Sequence, residues 1–410
     1  MQTNVCDVIV VGAGASGLMA AGVAAARGRQ VVLLERNSQV GKKLRIAGKG
    51  RCNLTNDEEI PGLERKIPGN PKFLRTAFYH FTPKQTVDFF HTHGVETKVE
   101  RGGRVFPVSD DADDVADALL RWCRQTGVIL VTEAQVTRLL VDEHQIYGVE
   151  TAAGKSFQAP AVIIATGGAT YPGTGSTGDG YRLAEKVGHT IVPIRPSLVP
   201  LETVENWPAE VQGLSLRNVE LTALAPTGEM LYRERGEMLF THFGVSGPLV
   251  LSASRHLAPL TGGRIVIDLK PALDLPTLDA RVQRDFTEFS RRVFSNALGE
   301  LLPRTLIPVV MLLSHIHPDT PVHQITRVQR QGLVALLKGL MLTVKKARAL
   351  SEAIVTVGGV STREIDPRTM ASKVVQGLYF TGEVIDVDGY TGGYNLQIAW
   401  STGHLAGETV

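Results

Sequence analysis

The chain opens on an apolar run at residues 5–11, passes through a glycine cluster into a small and apolar stretch at 18–27, and returns to an apolar run at 31–35. Short continuous apolar runs bounded by turn residues read as strands buried on both faces, and the longer stretch between them reads as a helix. The first forty residues therefore predict strand, turn, helix, strand. Residues 128–158 alternate apolar and polar in three short runs broken at Asp142-Glu143 and Ala153-Gly154, the pattern of a small β-meander. Residues 161–165 form another continuous apolar run that ends in Thr166-Gly167-Gly168. Beyond Pro193 alternation returns at 199–201, 214–224, 230–233 and 263–269, as in a β-barrel. A proline-bounded stretch at 271–276 interrupts it, and helical periodicity follows at 278–302, 305–315, 329–337 and 344–350. Strand character resumes at 353–357, and 377–386 reads as a last strand ahead of a helix at 396–406.

The glycines between the first strand and helix spell Gly12-Ala-Gly14-Ala15-Ser16-Gly17, a G-x-G-x-x-G in its proper setting. Gly12 permits the tight turn, Gly14 lets a pyrophosphate approach the backbone, and Gly17 lets the helix lie close to the strand. The amides at the helix start, around Ala15 and Ser16, face the phosphates. Glu35 ends the second strand, where a carboxylate accepts hydrogen bonds from a ribose diol and repels the 2′-phosphate of NADP. Together these features predict a dinucleotide site.

The motif does not separate FAD from NAD; the far end of the chain does. Gly377-Leu-Tyr-Phe-Thr381-Gly382-Glu383-Val-Ile-Asp386 reads as a strand closing in glycine and acid, and Gly392-Gly393-Tyr394-Asn395-Leu396 opens a helix. Glu383 or Asp386 suits the ribityl hydroxyls. Amides at 393–395 and the helix N-terminus suit the pyrimidine edge of a flavin, where they stabilise negative charge at N1 of its reduced form. NAD needs no such second site, so FAD is the expected cofactor, with the turn Thr166-Gly167-Gly168 closing the sheet over its adenine half.

Length and composition fit this picture: 410 residues, 43% hydrophobic and 20% charged, suit a globular chain of two or three domains. Cys6, Cys52 and Cys123 include no C-x-x-C pair, which excludes a disulfide scaffold, a zinc ribbon and a dithiol relay. The pairs His91/His93 and His315/His317 lack a third ligand, so no metal is expected. No window approaches the ~20 apolar residues of a membrane span and the start lacks the features of a signal peptide; a cytoplasmic protein without a membrane partner is the expectation. The net charge is +2, but residues 281–350 hold eleven Lys or Arg against four Asp or Glu. Basic charge so concentrated suits phosphate contacts.

Three further stretches carry a resemblance. Gly41-Lys-Lys43-Leu-Arg-Ile-Ala47-Gly-Lys49-Gly50-Arg51-Cys52-Asn53-Leu-Thr55-Asn56, Ala165-Thr-Gly-Gly-Ala-Thr-Tyr171-Pro-Gly-Thr-Gly-Ser176-Thr-Gly178-Asp179-Gly180-Tyr181 and Gly236-Glu-Met-Leu-Phe240-Thr-His242-Phe-Gly244-Val-Ser246-Gly247-Pro248 resemble the BaiN/RdsA-like (YhiN-like) flavoprotein family, as do the two C-terminal motifs. Ala47 stands where many members have Ser, and Lys49 where many have Gly. The resemblance implies an α/β fold: a discontinuous Rossmann-like FAD-binding domain (residues 1–193 and 353–410) with an inserted β-barrel (194–272 and 320–352) and a helical subdomain (273–319). It implies NAD(P)H-dependent reduction, and substrates of two kinds: a uracil base in ribosomal RNA, giving dihydrouridine, and steroid-type enones. Members described as amine oxidases would run the flavin in the opposite direction.

Both kinds of reducible substrate hold a carbon–carbon double bond conjugated to a carbonyl, so hydride addition at the β-carbon must be matched by an acid for the α-carbon and a donor for the carbonyl oxygen. Cys52, set among Lys42, Lys43, Arg45, Lys49 and Arg51, is one candidate acid, since cationic neighbours make a thiol reactive. His242, in a glycine-rich turn, is the other. Lys43, Gly50, Arg51, Cys52 and Asn53 are also expected beside the cofactor. Gly173-Thr-Gly175-Ser-Thr-Gly178 repeats the glycine spacing, but Tyr171-Pro172 separates it from its strand and no acid follows at the required distance. It is expected to be a loop over the flavin, leaving NAD(P)H as a transient visitor to the substrate site and ribosomal RNA as a partner of the basic segment.

Overall fold

The computed structural model describes residues 5–410; the first four, where the expected domain begins, lie outside it. The chain divides into two compact units, the first running to Pro196 and resuming at Ala353, the second spanning Ser197–Glu352.

The first unit is built on a five-stranded parallel sheet. Strand β1 (Val8–Val11) lies at its centre, with β2 (Val31–Leu34) and then Ile129–Val131 on one side, and Ala161–Ile164 and then Leu378–Phe380 on the other. Val8 pairs with both Val31 and Ala161, and β1 and β2 are buried along their whole length. This is why they read as unbroken apolar runs: a parallel strand covered on both faces has no polar side. Helix α1 (Ala15–Ala26) makes the crossover from β1 to β2. Of the expected meander, the strands Val136–Asp142, Gln145–Thr151 and Ser156–Gln158 form a separate antiparallel sheet, whereas Ile129–Val131 joins the parallel one.

Small residues let α1 and the C-terminal helix Tyr394–Thr409 approach backbone to backbone. A Cβ on Gly403 would stand 2.4 Å from the Ser16 carbonyl oxygen, and one on Gly407 2.7 Å from that of Ala20. Arg27 at the end of α1 donates to the carbonyls of Gly407 (3.1 Å) and Val410 (3.0 Å), closing the open end of the C-terminal helix. Since backbone cannot yield as a side chain does, Gly403→Val is expected to cost about 2–3 kcal/mol, read as a lower midpoint in thermal denaturation. An unchanged midpoint would mean that the two helices separate freely.

His189 fixes the chain entering residues 191–197, and its side chain is fully buried. Nδ1 faces Glu364 Oε2 at 3.1 Å and Nε2 faces Ser372 Oγ at 2.8 Å. The order is that of a Ser-His-Glu relay, but Ser372 Oγ already accepts the amides of Val374 (3.0 Å) and Val375 (2.8 Å), so it has no lone pair free for attack. The Ser372 hydroxyl hydrogen goes to Nε2, and the neutral imidazole donates Nδ1–H to Glu364. Burial holds the imidazole below its usual pKa, opposed by Glu364. A histidine harder to protonate folded than unfolded contributes stability that is complete above about pH 6.5 and is lost as pH falls from there through the lowered folded value. His189→Gln should therefore lose less of its melting temperature than wild type between about pH 7 and pH 5; identical slopes would remove His189 from the acid response.

In the second unit six strands close a barrel in the order Leu201–Thr203, Gly244–Ser246, Met230–Thr241, Ser215–Leu224, Arg264–Asp268, Leu340–Ala347, the last pairing back to the first. Between its last two strands run the helices Leu275–Glu288, Ile307–Ser314 and Arg327–Lys338. The helix expected at 329–337 is present as Arg327–Lys338, and two other sequence expectations shift here. The stretch 344–350, expected to be helical, belongs largely to the strand Leu340–Ala347, where Leu340, Leu342 and Val344 alternate inward. The long helix expected over 278–302 stops at Glu288, because Val293 pairs with Pro321 and Phe294 N–H donates to Thr320 O (2.9 Å), drawing Phe294 into the core by another route.

Candidate functional site

The glycine loop and the end of β2 meet at Glu35. Ala13 N–H donates to its Oε2 (2.8 Å), while the backbone and side-chain nitrogens of Asn37 donate to its Oε1 (2.8 and 2.7 Å). The carboxylate is thus fixed against the loop that carries Gly12 and Gly14. Gly12 has φ +103°, and a Cβ there would lie 2.6 Å from Ala165 O; Gly17 lies against the carbonyl of Gly12. Gly14 is different: its φ is −87°, and a Cβ would meet nothing within 4 Å. The protein does not need glycine there, so the open cradle in front of α1 is the place where a pyrophosphate requires it. Helix α1 begins without a side-chain cap and without an acid in its first turn, leaving the Ala15 and Ser16 end of its dipole for an anion.

A second uncapped helix start stands at the chain's other end. Gly393, with φ +96°, precedes the C-terminal helix, which also has no side-chain cap and no acid in its first turn. A Cβ on Gly393 would lie 2.3 Å from Thr55 O. Asn53, its amide oriented by its neighbours, accepts the Gly393 N–H (3.0 Å) and donates to Thr55 O (3.1 Å) and Val105 O (3.2 Å). Asn56 Nδ2 donates to Gly392 O (3.0 Å), and Asn395 Nδ2 returns to Gly389 O (2.8 Å). The Tyr394 ring is buried, with Leu396 half-buried beyond it. The Gly393 amide, expected at the flavin edge, is thus taken by Asn53, and the amides that follow it remain for that role. Two helix starts without a side-chain cap, one for a pyrophosphate and one for the N1–C2 edge of a flavin, fit FAD.

Between these ends lies a cluster that sequence reasoning found only in part. Lys43 Nζ bonds Thr170 Oγ1 and Glu383 Oε2, both at 2.7 Å, and Thr356 N–H donates to Glu383 Oε1 (2.8 Å). Gly168 packs against Thr356 and Glu383, the Thr166 hydroxyl is buried against Gly180, and Gly382 sits against Ser16. The two acids assigned to the ribityl chain are both held by protein donors, since Asp386 Oδ2 also accepts from Asn70 Nδ2 (3.1 Å). Thr356 and Thr170 had no signal beyond lying next to glycine motifs.

The cationic loop corrects two expectations. Arg51 is bound by Glu100 (2.5 Å) and Asp110 (2.6 Å) and lies over the Phe106 ring, so it is committed to carboxylates and not to a pyrophosphate. Arg45 is likewise held by Asp113 and Asp117. Cys52 is 0% exposed, and burial alone pushes its thiol up, the reverse of the thiolate that flanking cations suggest. A sulfur that water does not reach is also closed to a substrate. The loop itself is strained: Gly48, Lys49, Gly50 and Cys52 all have positive φ, at 58°, 61°, 83° and 56°. Lys49 therefore adopts the left-handed conformation that a glycine would take freely.

Arg36 bonds Thr177 Oγ1 (2.6 Å) and Asp179 (2.7 Å), and Asn37 Nδ2 bonds Thr174 O (3.0 Å). The loop Tyr171–Gly178 is thereby pinned to the turn after β2 that follows Glu35. His242 belongs to the second unit: it is exposed in the turn joining Met230–Thr241 to Gly244–Ser246, edge-on to Phe243 at 5.0 Å. Among the described residues no helix is long and apolar enough to cross a membrane.

Residues 6–409 match the family model described as HI0933-like protein Rossmann domain. A 3-dehydro-bile acid delta(4,6)-reductase of Clostridium scindens is 37% identical over 408 residues, 97% of each chain. A ribosomal RNA dihydrouridine synthase of Escherichia coli is 33% identical over 396 residues, 97% of this chain and 96% of that one. Among solved structures, a 3-ketosteroid delta1-dehydrogenase from Sterolibacterium denitrificans superposes with a TM-score of 0.52 at 12% identity, covering 99% of both chains, a likeness of fold alone.

Proposed function

The chain belongs to the HI0933-like Rossmann-domain family and is an FAD-dependent oxidoreductase; from that premise we propose that it reduces a carbon–carbon double bond conjugated to a carbonyl, with NAD(P)H as reductant and a uracil base of ribosomal RNA as substrate. The observation that carries the cofactor is the pair of helix starts without a side-chain cap at Ala15 and Tyr394, and the reduction of a conjugated double bond is supported by the two relatives. When bound, FAD supplies the hydride. The C-terminal helix start holds the pyrimidine edge and favours negative charge there. Cys52, whose thiol is sealed, is set aside as the acid for the α-carbon.

The two relatives' names describe one chemistry on different molecules: a dehydro-bile acid and a uridine each lose a double bond conjugated to a carbonyl. RNA is favoured by the basic segment. Among the described residues Arg291, Arg304, Arg327 and Lys345 form no ion pair, so their charge is available to phosphates. A small-molecule enone is the second reading, favoured by the higher identity to the bile acid reductase.

The test is anaerobic: reduce the bound flavin, mix it with ribosomal RNA lacking dihydrouridine, and follow the return of oxidised-flavin absorbance. Reoxidation by that RNA and not by fully modified RNA is expected. If only an enone reoxidises the flavin, the substrate is a small molecule; fast reoxidation by oxygen alone would point to an oxidase.

A further inference from the structure

The helical part of the second unit carries a surface hollow. One wall is an ion pair within the helix Leu275–Glu288, Arg281 Nε to Asp285 at 2.7 and 2.9 Å. Around it stand Arg284, Glu288, Phe289, Arg292 and Glu300. The Arg292 guanidinium lies over the half-buried Phe289 ring, 4.3 Å from its centroid, and its one hydrogen bond is a long one to Asn296 O (3.4 Å). Among the described residues Arg284 and Arg292 form no ion pair, and neither do Glu288 and Glu300, although all four line the same hollow.

Opposite charges that share a hollow without pairing suit a neutral ligand with both donor and acceptor edges. The Phe289–Arg292 stack adds a requirement for a flat face. Inorganic phosphate fits poorly, because the glutamates would repel it. A nucleobase meets every condition, and guanine meets them best: O6 and N7 accept a bidentate guanidinium, while N1–H and the N2 amino group donate side by side to a carboxylate. Adenine, cytosine and uracil each present fewer donors along one edge.

We propose that this hollow takes an unstacked guanine of a structured RNA, stacked on the outer face of the Arg292 guanidinium that Phe289 supports, with Arg284 on its acceptor edge and Glu288 and Glu300 on its donor edge. The proposal rests on RNA being the substrate, and it turns the basic segment from a source of affinity into a source of sequence preference.

The experiment uses full-length, flavin-loaded protein and a labelled ribosomal RNA fragment, with GMP, UMP and inorganic phosphate as competitors in fluorescence anisotropy. Competition by GMP and by neither of the others is expected. Phe289→Leu and Glu300→Gln should each weaken RNA binding about tenfold, the usual cost of losing one base contact, with flavin content unchanged. Glu300 is exposed, so its variant keeps the fold even if Phe289→Leu does not. Wild-type affinity in the Glu300 variant, or equal competition by all three small molecules, overturns the guanine site and leaves RNA as substrate standing. Failure of the wild-type protein to bind RNA overturns both.

Discussion

Gly14→Val is expected to yield a folded protein that is purified without its flavin. A Cβ at this position meets no protein atom within 4 Å, and its backbone, at φ −87° and ψ −167°, suits a β-branched residue. The polypeptide therefore pays almost nothing for the change. The added methyl groups project into the cradle before α1, where a pyrophosphate must lie against the amides of Ala15 and Ser16. An overlap of about 3 kcal/mol corresponds to a loss of roughly a hundredfold in affinity. Two measurements separate the effects: flavin absorbance of the purified protein should fall to a trace, while the melting temperature of the apoprotein should match that of flavin-stripped wild type within about 2 °C. A Gly14→Val protein that retains yellow colour would move the pyrophosphate away from α1.

Cys52→Ala is expected to leave substrate reduction within about threefold of wild type, although the flanking cations mark its thiol as a candidate acid. Its sulfur is inaccessible, and burial alone pushes it away from the thiolate. The stability cost should be about 1 kcal/mol for the small cavity. Comparing the two half-reactions, reduction of the bound flavin by NAD(P)H and its reoxidation by substrate, distinguishes loss of an acid from loss of the fold. A fall of about 10²–10⁴-fold in the second half-reaction alone, the usual contribution of a general acid, would return the proton to the thiol and require the loop at 48–52 to open.

Elements set by short-range rules were legible in the chain. The strands β1, β2 and Ala161–Ile164 announce themselves as apolar runs because both their faces are covered, and Gly12, Gly17 and Glu35 stand where a dinucleotide turn requires them. The barrel strands Ser215–Leu224, Met230–Thr241 and Arg264–Asp268 were legible for the complementary reason, an inner and an outer face alternating along one strand, whereas Gly244–Ser246 and Leu340–Ala347 were not. The stretch 344–350 was misread because Val344, Ala347 and Leu350 recur every third residue, close to a helical period, while the alternation of Leu340, Leu342 and Val344 that marks the strand lies almost wholly before it.

What eluded the sequence is the pairing of charges. Lys43, Arg45 and Arg51 crowd one loop and suggest a phosphate cradle or an activated thiol, yet each is claimed by a carboxylate far along the chain: Glu383, Asp113 with Asp117, and Glu100 with Asp110. Composition reports how many charges a segment carries, but which of them remain free depends on partners 49 to 340 residues away. The burial of Cys52 is of the same kind, for a residue's neighbours in sequence reveal nothing of the chain that covers it. The cofactor fold could be read from the chain alone, because glycine conformations and buried-strand patterns are local. Tertiary structure alone decided which groups around the cofactor stay open to chemistry, because burial and ion pairing are settled only when distant segments meet.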